Sequence, residues 1–287
     1  MRNLFTFLLF INCFRLLAWT DNFGAGARSA GLSNTSVTLT DIYAAQNNQA
    51  GLAGIKKISG AFFYENKFLI RDLSFKGACA AVPVKSGVLG ISVNSFGGKN
   101  YSENKFGLAY SRNFGEAISA GVQMNYLGTF IGEGYGKSNA FAVEAGIQAR
   151  LIKHLFIGAH IFNPNRAKIA DYNNERAPTI MKLGLRYQFS NKVFLCTEAQ
   201  KDISLNPVFK AGIEYQVIKD FYLRGGISSG PVQNSFGFGY YAKLFRIDIA
   251  AAYHQSLGYS TQIAFSFQIG KNKIDTISNL PLDSDKP

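Results

Sequence analysis

Between Pro207 and Ile269 the apolar residues fall on every second position. Phe209, Ala211, Ile213, Tyr215 and Val217 alternate with Lys210, Gly212, Glu214 and Gln216. After a tight turn at Ile218-Lys219-Asp220 the alternation resumes with Phe221, Leu223 and Ile227, between Tyr222, Arg224, Gly226 and Ser228. It returns as Phe236, Phe238, Tyr240, as Phe245, Ile247, Ile249, Ala251, Tyr253, and as Tyr259, Thr261, Ile263, Phe265, Phe267, Ile269. Period two puts successive side chains on opposite faces of an extended strand. Each segment runs about ten residues, the length a tilted strand needs to cross a bilayer.

The same code extends back to Ile58. It predicts strands over 58–65, 70–82, 87–96, 104–112, 117–129, 139–151, 154–162, 179–189, 192–200, 207–217, 220–229, 233–243, 245–254 and 259–269. An even number, about fourteen, lets a barrel close with both chain ends on one side. All seven prolines are expected outside strand interiors, because proline cannot donate to the ladder. Longer connections (Glu65–Ile70, Ser95–Asn104, Phe130–Ser138, Asn163–Pro178, Lys201–Asn206) alternate with tight turns (Pro83–Ser86, Lys153, Ser190-Asn191, Ile218–Asp220, Leu244). That asymmetry is expected of an outer-membrane barrel with loops outside and turns in the periplasm.

Alternation alone leaves a secreted soluble β-protein as the alternative, since an apolar face can meet a protein core as well as lipid. The polar face separates the two. It carries Gly90, Gly107, Gly121, Gly146, Gly158, Gly184, Gly212, Gly226, Gly237 and Gly239. Glycine weakens a water-exposed strand face, whereas on an inner face it makes room for something in the lumen. The fold class expected is therefore all-β, a transmembrane antiparallel β-barrel of about fourteen strands.

Composition agrees. The chain has mean hydropathy +0.02, is 14% aromatic and holds 29 glycines against 7 prolines, which is too apolar for disorder. Residues 1–19 read as a signal peptide, with Arg2 ahead of apolar Leu4–Phe10; a short anchoring helix is the alternative. Residues 20–57 form a small-residue-rich segment, 58–270 the barrel, and 271–287 a polar tail. Cys79 and Cys196, on separate strands and read with opposite facing, are expected to be unpaired. The net charge of +12 is dispersed with no clustered stripe, which excludes nucleic acid and fits anionic outer-membrane lipid.

Residues 20–57 do not alternate. They are rich in small residues and read as a compact, partly helical unit. Gly26-Ala27-Arg28-Ser29-Ala30-Gly31-Leu32, followed by DIYAAQNNQAGLA from Asp41, resembles the hatch of the long-chain fatty-acid transporter (FadL-like) barrels, closest to the PorV/PorQ-type branch. Asn48, Ala50, Gly51 and Leu52 match the branch pattern, and Gln49 stands where proline is usual. The stretches KAGIEY from Lys210 and FYLRGG from Phe221 are similar as well. The resemblance implies a hatch in the lumen and outer loops that capture a ligand; Phe130, Tyr135 and Tyr172 are the candidate contacts there.

No constellation for catalysis is apparent, no cofactor is called for, and the three histidines are not at metal-ligand spacing. Glu144, Glu198, Glu214 and Asp248 are expected on polar faces near Arg150, Arg186, Arg224 and Arg246, as lumen ion pairs rather than acid–base pairs. Two functions remain open. The PorV/PorQ-type resemblance implies a binding and shuttling accessory of type IX-like secretion, with secretion-machine subunits or exported cargo as partners. The alternative is a passive uptake channel for a small hydrophobic molecule.

Overall fold

In the computed structural model, residues 24–132, 136–169 and 174–270 are described. The expected signal peptide and polar tail lie outside them, as do Tyr135 and Tyr172. Fourteen antiparallel strands follow one another round a closed barrel: β1 (Ile58–Asn66), β2 (Ser74–Val84), β3 (Gly87–Gly97), β4 (Tyr101–Phe114), β5 (Ile118–Ile131), β6 (Gly136–Ile152), β7 (Leu155–Phe162), β8 (Ile180–Ser190), β9 (Val193–Asp202), β10 (Val208–Ile218), β11 (Phe221–Ser229), β12 (Val232–Tyr241), β13 (Phe245–His254) and β14 (Gly258–Ile269). β14 closes onto β1 from Ile58↔Ile269 to Asn66↔Thr261, so no strand edge is left unpaired.

The apolar row points outward. Phe209, Phe236 and Phe238 each expose more than 60% of their surface, whereas Glu144 and Glu214 expose none. Large exposed apolar side chains occur on every strand except β7, whose outward Ile157 and Ile161 are half-buried. A continuous apolar exterior of this extent is foreign to a soluble protein and is what lipid requires, so the soluble alternative falls.

The connections differ from expectation at one end. β3–β4 and β5–β6 continue their ladders to Gly97↔Ser102 and Ile131↔Gly136, well beyond the limits expected, so that only 98–100 separate β3 from β4. Phe130 is accordingly not a loop residue: it sits half-buried on β5 opposite Lys137, whose ammonium lies 5.8 Å from its ring. Hydrogen-bonded pairing outweighed the local polarity that read as loop. The connections that remain long are 67–73, 163–179 and 203–207. Pro83 falls at the penultimate position of β2, beside the hairpin turn.

The N-terminal segment carries two short helices, α1 (Ala27–Gly31) and α2 (Ala44–Asn47), and a 3-10 turn over Gln49–Gly54. It is almost wholly buried within the barrel. α1 packs on β11–β14, and the 3-10 turn on β3–β6, on the other side of the lumen. Where β1–β4 turn Phe63, Phe75, Cys79, Ala81, Val88 and Ala109 inward, they meet Tyr43, Ala44, Leu52 and Ile55 of this segment. Cys79 and Cys196 are both buried and free, and both face inward, contrary to the facing expected for the pair. β2 presents apolar residues to the lumen because an apolar stretch of the segment covers them there.

Candidate functional site

The lumen has three levels. At mid-height the inward glycines accept the backbone of the N-terminal segment. A Cβ on Gly121 would lie 2.6 Å from the Gln49 carbonyl carbon, one on Gly212 2.8 Å from Leu32, and one on Gly226 2.5 Å from Leu32. Gly90, Gly146, Gly158, Gly184 and Gly237 likewise abut the segment, while Gly107 and Gly239 make room for barrel side chains. Only the absence of a side chain permits such approaches.

Charged inward residues tie that segment to the wall. Glu214 accepts two hydrogen bonds from Arg28, both of 2.8 Å, and one of 2.6 Å from Arg224. Arg224 also pairs with Asp248 at 2.8 Å, and Asp248 with Arg246 at 3.0 Å. Arg28 reaches Asp41 at 3.2 Å. On the opposite wall Glu144 is held by Lys105, Asn125 and His160, each at 3.0 Å, and by Gln49 at 2.9 Å. Glu198 accepts the backbone N–H groups of Ser36 and Val37 at 2.8 and 2.9 Å and pairs with Lys210 at 3.6 Å. Glu214–Arg224 and Asp248–Arg246 are thus the expected pairs, but Glu144 does not meet Arg150, nor Glu198 Arg186. A shared face does not place two side chains at the same height, so partners came from other strands and from the N-terminal segment. Arg28 was missed as a partner because nothing periodic marks its segment.

The Asn48–Leu52 turn is buried at the centre. Asn48 Oδ1 accepts from Ala50 N at 3.2 Å, its Nδ2 donates to Val37 O at 2.6 Å, and Gln49 binds Glu144. At Gln49, where the sequence pattern it resembles has proline, the turn is held by side-chain hydrogen bonds, an Asx-type arrangement. Gly51 fits against Ala44, and Leu52 against Gly90.

Toward the long-loop end one sector of the lumen, on β5–β8, turns apolar residues inward, while Glu103, Asp202 and Gln262 keep the other strands polar there. Leu127, Ala140, Ala142, Phe162 and Ile180 form one buried cluster with Ala167, Ile169 and Ala177 of the 163–179 connection. That connection folds back over the lumen because Asn163, at φ 55°, accepts from Ala167 N and donates to Ala177 O, both at 2.8 Å. At the turn end lies a cavity of about 360 Å³ lined by Arg150, Phe156, Arg186, Ala53 and Ile55.

No protein-family model and no curated protein matches the chain. Solved structures do. The toluene transporter TodX of P. putida superposes with a TM-score of 0.66 at 12% identity, over 88% of this chain and 100% of that one. The toluene transporter TbuX of Ralstonia pickettii gives 0.65 at 12%, over 86% and 99%. A Pseudomonas aeruginosa FadL homologue gives 0.62 at 12%, over 86% and 98%. The chain shares their fold. At such identity the likeness concerns the barrel's architecture, and it reaches the whole length of those proteins.

Proposed function

We propose that the protein is an outer-membrane channel for passive uptake of small hydrophobic molecules, with residues 24–57 acting as its hatch. The apolar cluster under the 163–179 connection carries this reading. It brings apolar side chains of β5–β8 together with those of the longest connection at that end of the lumen, an apolar patch on which a hydrophobic molecule can be received once the connection shifts. The shared fold with proteins named as toluene transporters supports it. The secretion-accessory reading of the PorV/PorQ-type resemblance has no such support.

From that seat the molecule faces a polar belt centred on Glu144, and below it the hatch. The hatch is fastened by hydrogen bonds, each worth about 1 kcal/mol net, and by the buried ion pairs of Arg28. Hydrogen bonds between polar surfaces can be exchanged for water, so on the β5–β7 side, where Asn48 and Gln49 are held by polar groups, the turn can shift at lower cost than on the β1–β4 side, where Leu52 is packed in an apolar cluster. The charged groups Glu144, Glu198, Glu214 and Arg224 hold the hatch, directly or through one another.

The test is toluene uptake by a null strain complemented with wild type, Phe162→Asp or Ile169→Asp. Both variants should insert, shown by heat-modifiable gel mobility, and both should lose uptake. Undiminished uptake in both sinks the reading. Recovery of secretion-machine subunits or cargo after crosslinking would restore the accessory reading instead.

A further inference from the structure

Arg186 does no work for the hatch. It is 95% buried, since only 5% of it is exposed, yet its Nε has no hydrogen-bond partner among the described residues. The charged group is held instead by aromatic faces, 4.4 Å from the Phe156 ring and 5.7 Å from that of Phe194. An ionised group removed from water with no counter-charge is costly, and a guanidinium cannot escape the cost by shedding its proton. Such a group is kept where something else completes it.

The surroundings say what that is. Arg150, Phe156 and Arg186 lie directly opposite one another on β6, β7 and β8, through the pairs Arg150↔Phe156 and Phe156↔Arg186. All three line the turn-end cavity. Arg150 also makes no ion pair among the described residues. Acidic residues are few there: Asp41 is engaged by Arg28, and Glu116 stands exposed on the β4–β5 turn. The other arginines lining the cavity, Arg28 and Arg246, are neutralised by Glu214 and Asp248. Two guanidinium groups with no ion pair among the described residues, Arg186 buried and Arg150 half-exposed, therefore line one concave space with Phe156 between them in the ladder.

We propose that this cavity is an oxyanion-binding site, in which Arg186 and Arg150 take the oxygens of a carboxylate or phosphate group. The planar fork of arginine donates two parallel hydrogen bonds to such a group, and the aromatic faces behind Arg186 fix its plane. Phe156 gives an apolar or aromatic body attached to the anion a surface to lie on. The site is distinct from the apolar cluster at the other end of the lumen and stands whether or not hydrophobic molecules are taken up.

The test is isothermal titration of the full chain, folded in non-ionic detergent at low salt, with benzoate, neutral benzyl alcohol and inorganic phosphate. Benzoate should bind at least about tenfold more tightly than benzyl alcohol. Arg186→Gln should remove that preference, Arg150→Gln should weaken it, and Arg186→Lys should retain part of it. Phosphate binding with the same dependence on Arg186 would also support the site and identify a free inorganic oxyanion as its ligand. If Arg186→Gln does not reach the folded, heat-modifiable form, Arg150→Gln against Arg150→Lys decides. The proposal is overturned if neither anion saturates by about 10 mM, or if affinities are equal in wild type and both folded Gln variants.

Discussion

On β10, Phe209, Ile213 and Tyr215 turn outward and stand about half exposed, while between them Gly212 and Glu214 turn inward and each meets a particular group. Gly212 touches Leu32, and Glu214 binds Arg28 and Arg224. One strand thus carries two kinds of specification. An exterior without specific neighbours asks only for apolar character, so the outward row is interchangeable. The lumen is filled, so each inward residue answers to one neighbour. Substitutions on the two rows should therefore differ in cost and in kind.

The sharpest contrast is Glu214→Ala beside Ile213→Leu. Removing Glu214 leaves Arg28 and Arg224 short of a buried counter-charge and should cost about 3–5 kcal/mol. Its outward neighbour should cost within about 0.5 kcal/mol. The heat-induced gel transition in detergent reads both, and equal midpoints would erase the contrast. The outward row has its own limit. Ile249→Arg places a charge on the apolar exterior and should cost about 2–4 kcal/mol near the bilayer midplane, seen as reduced recovery of the folded form from membranes. An unaffected Ile249→Arg would mean that this face does not meet lipid.

A matched glycine pair isolates the effect of the N-terminal segment in the lumen. Gly121→Val would drive a side chain into the Gln49 backbone, at a cost of about 1–3 kcal/mol, and should raise conductance in planar bilayers as the segment is displaced. Gly225→Val faces outward, where the nearest atom to a new Cβ is 3.9 Å away, and should leave conductance unchanged. The smallest effect is expected from Asn48→Ala, which loses the hydrogen bond capping the central turn, about 1 kcal/mol. It should raise the frequency of brief openings while lowering the heat-induced transition only slightly; identical single-channel records would show that the turn does not gate.

The barrel was largely legible. The strand number, most strand limits and the outward direction of Phe236, Phe238 and Ile249 follow from period two, which is set by neighbours along the chain. The inward glycines also announced a filled lumen. The two extended hairpins were not legible, because polar residues such as Asn104 and Ser138 pair at the mouth as readily as they form loops. Glu144 was visible as a lumen charge, yet its partners Lys105, His160 and Gln49 come from β4, β7 and the N-terminal segment. Arg186 was grouped with Glu198 on parity, whereas the fold leaves it facing a cavity with aromatic rings behind it.

By itself, then, the sequence determined which side chains face out of the barrel and how many strands share the task, since alternation is a local property of extended chain. The tertiary structure decided which charges meet, which glycines touch the N-terminal segment and which arginines stay unpaired. Those outcomes depend on the height each strand reaches in the closed ladder and on a segment whose path no periodicity encodes.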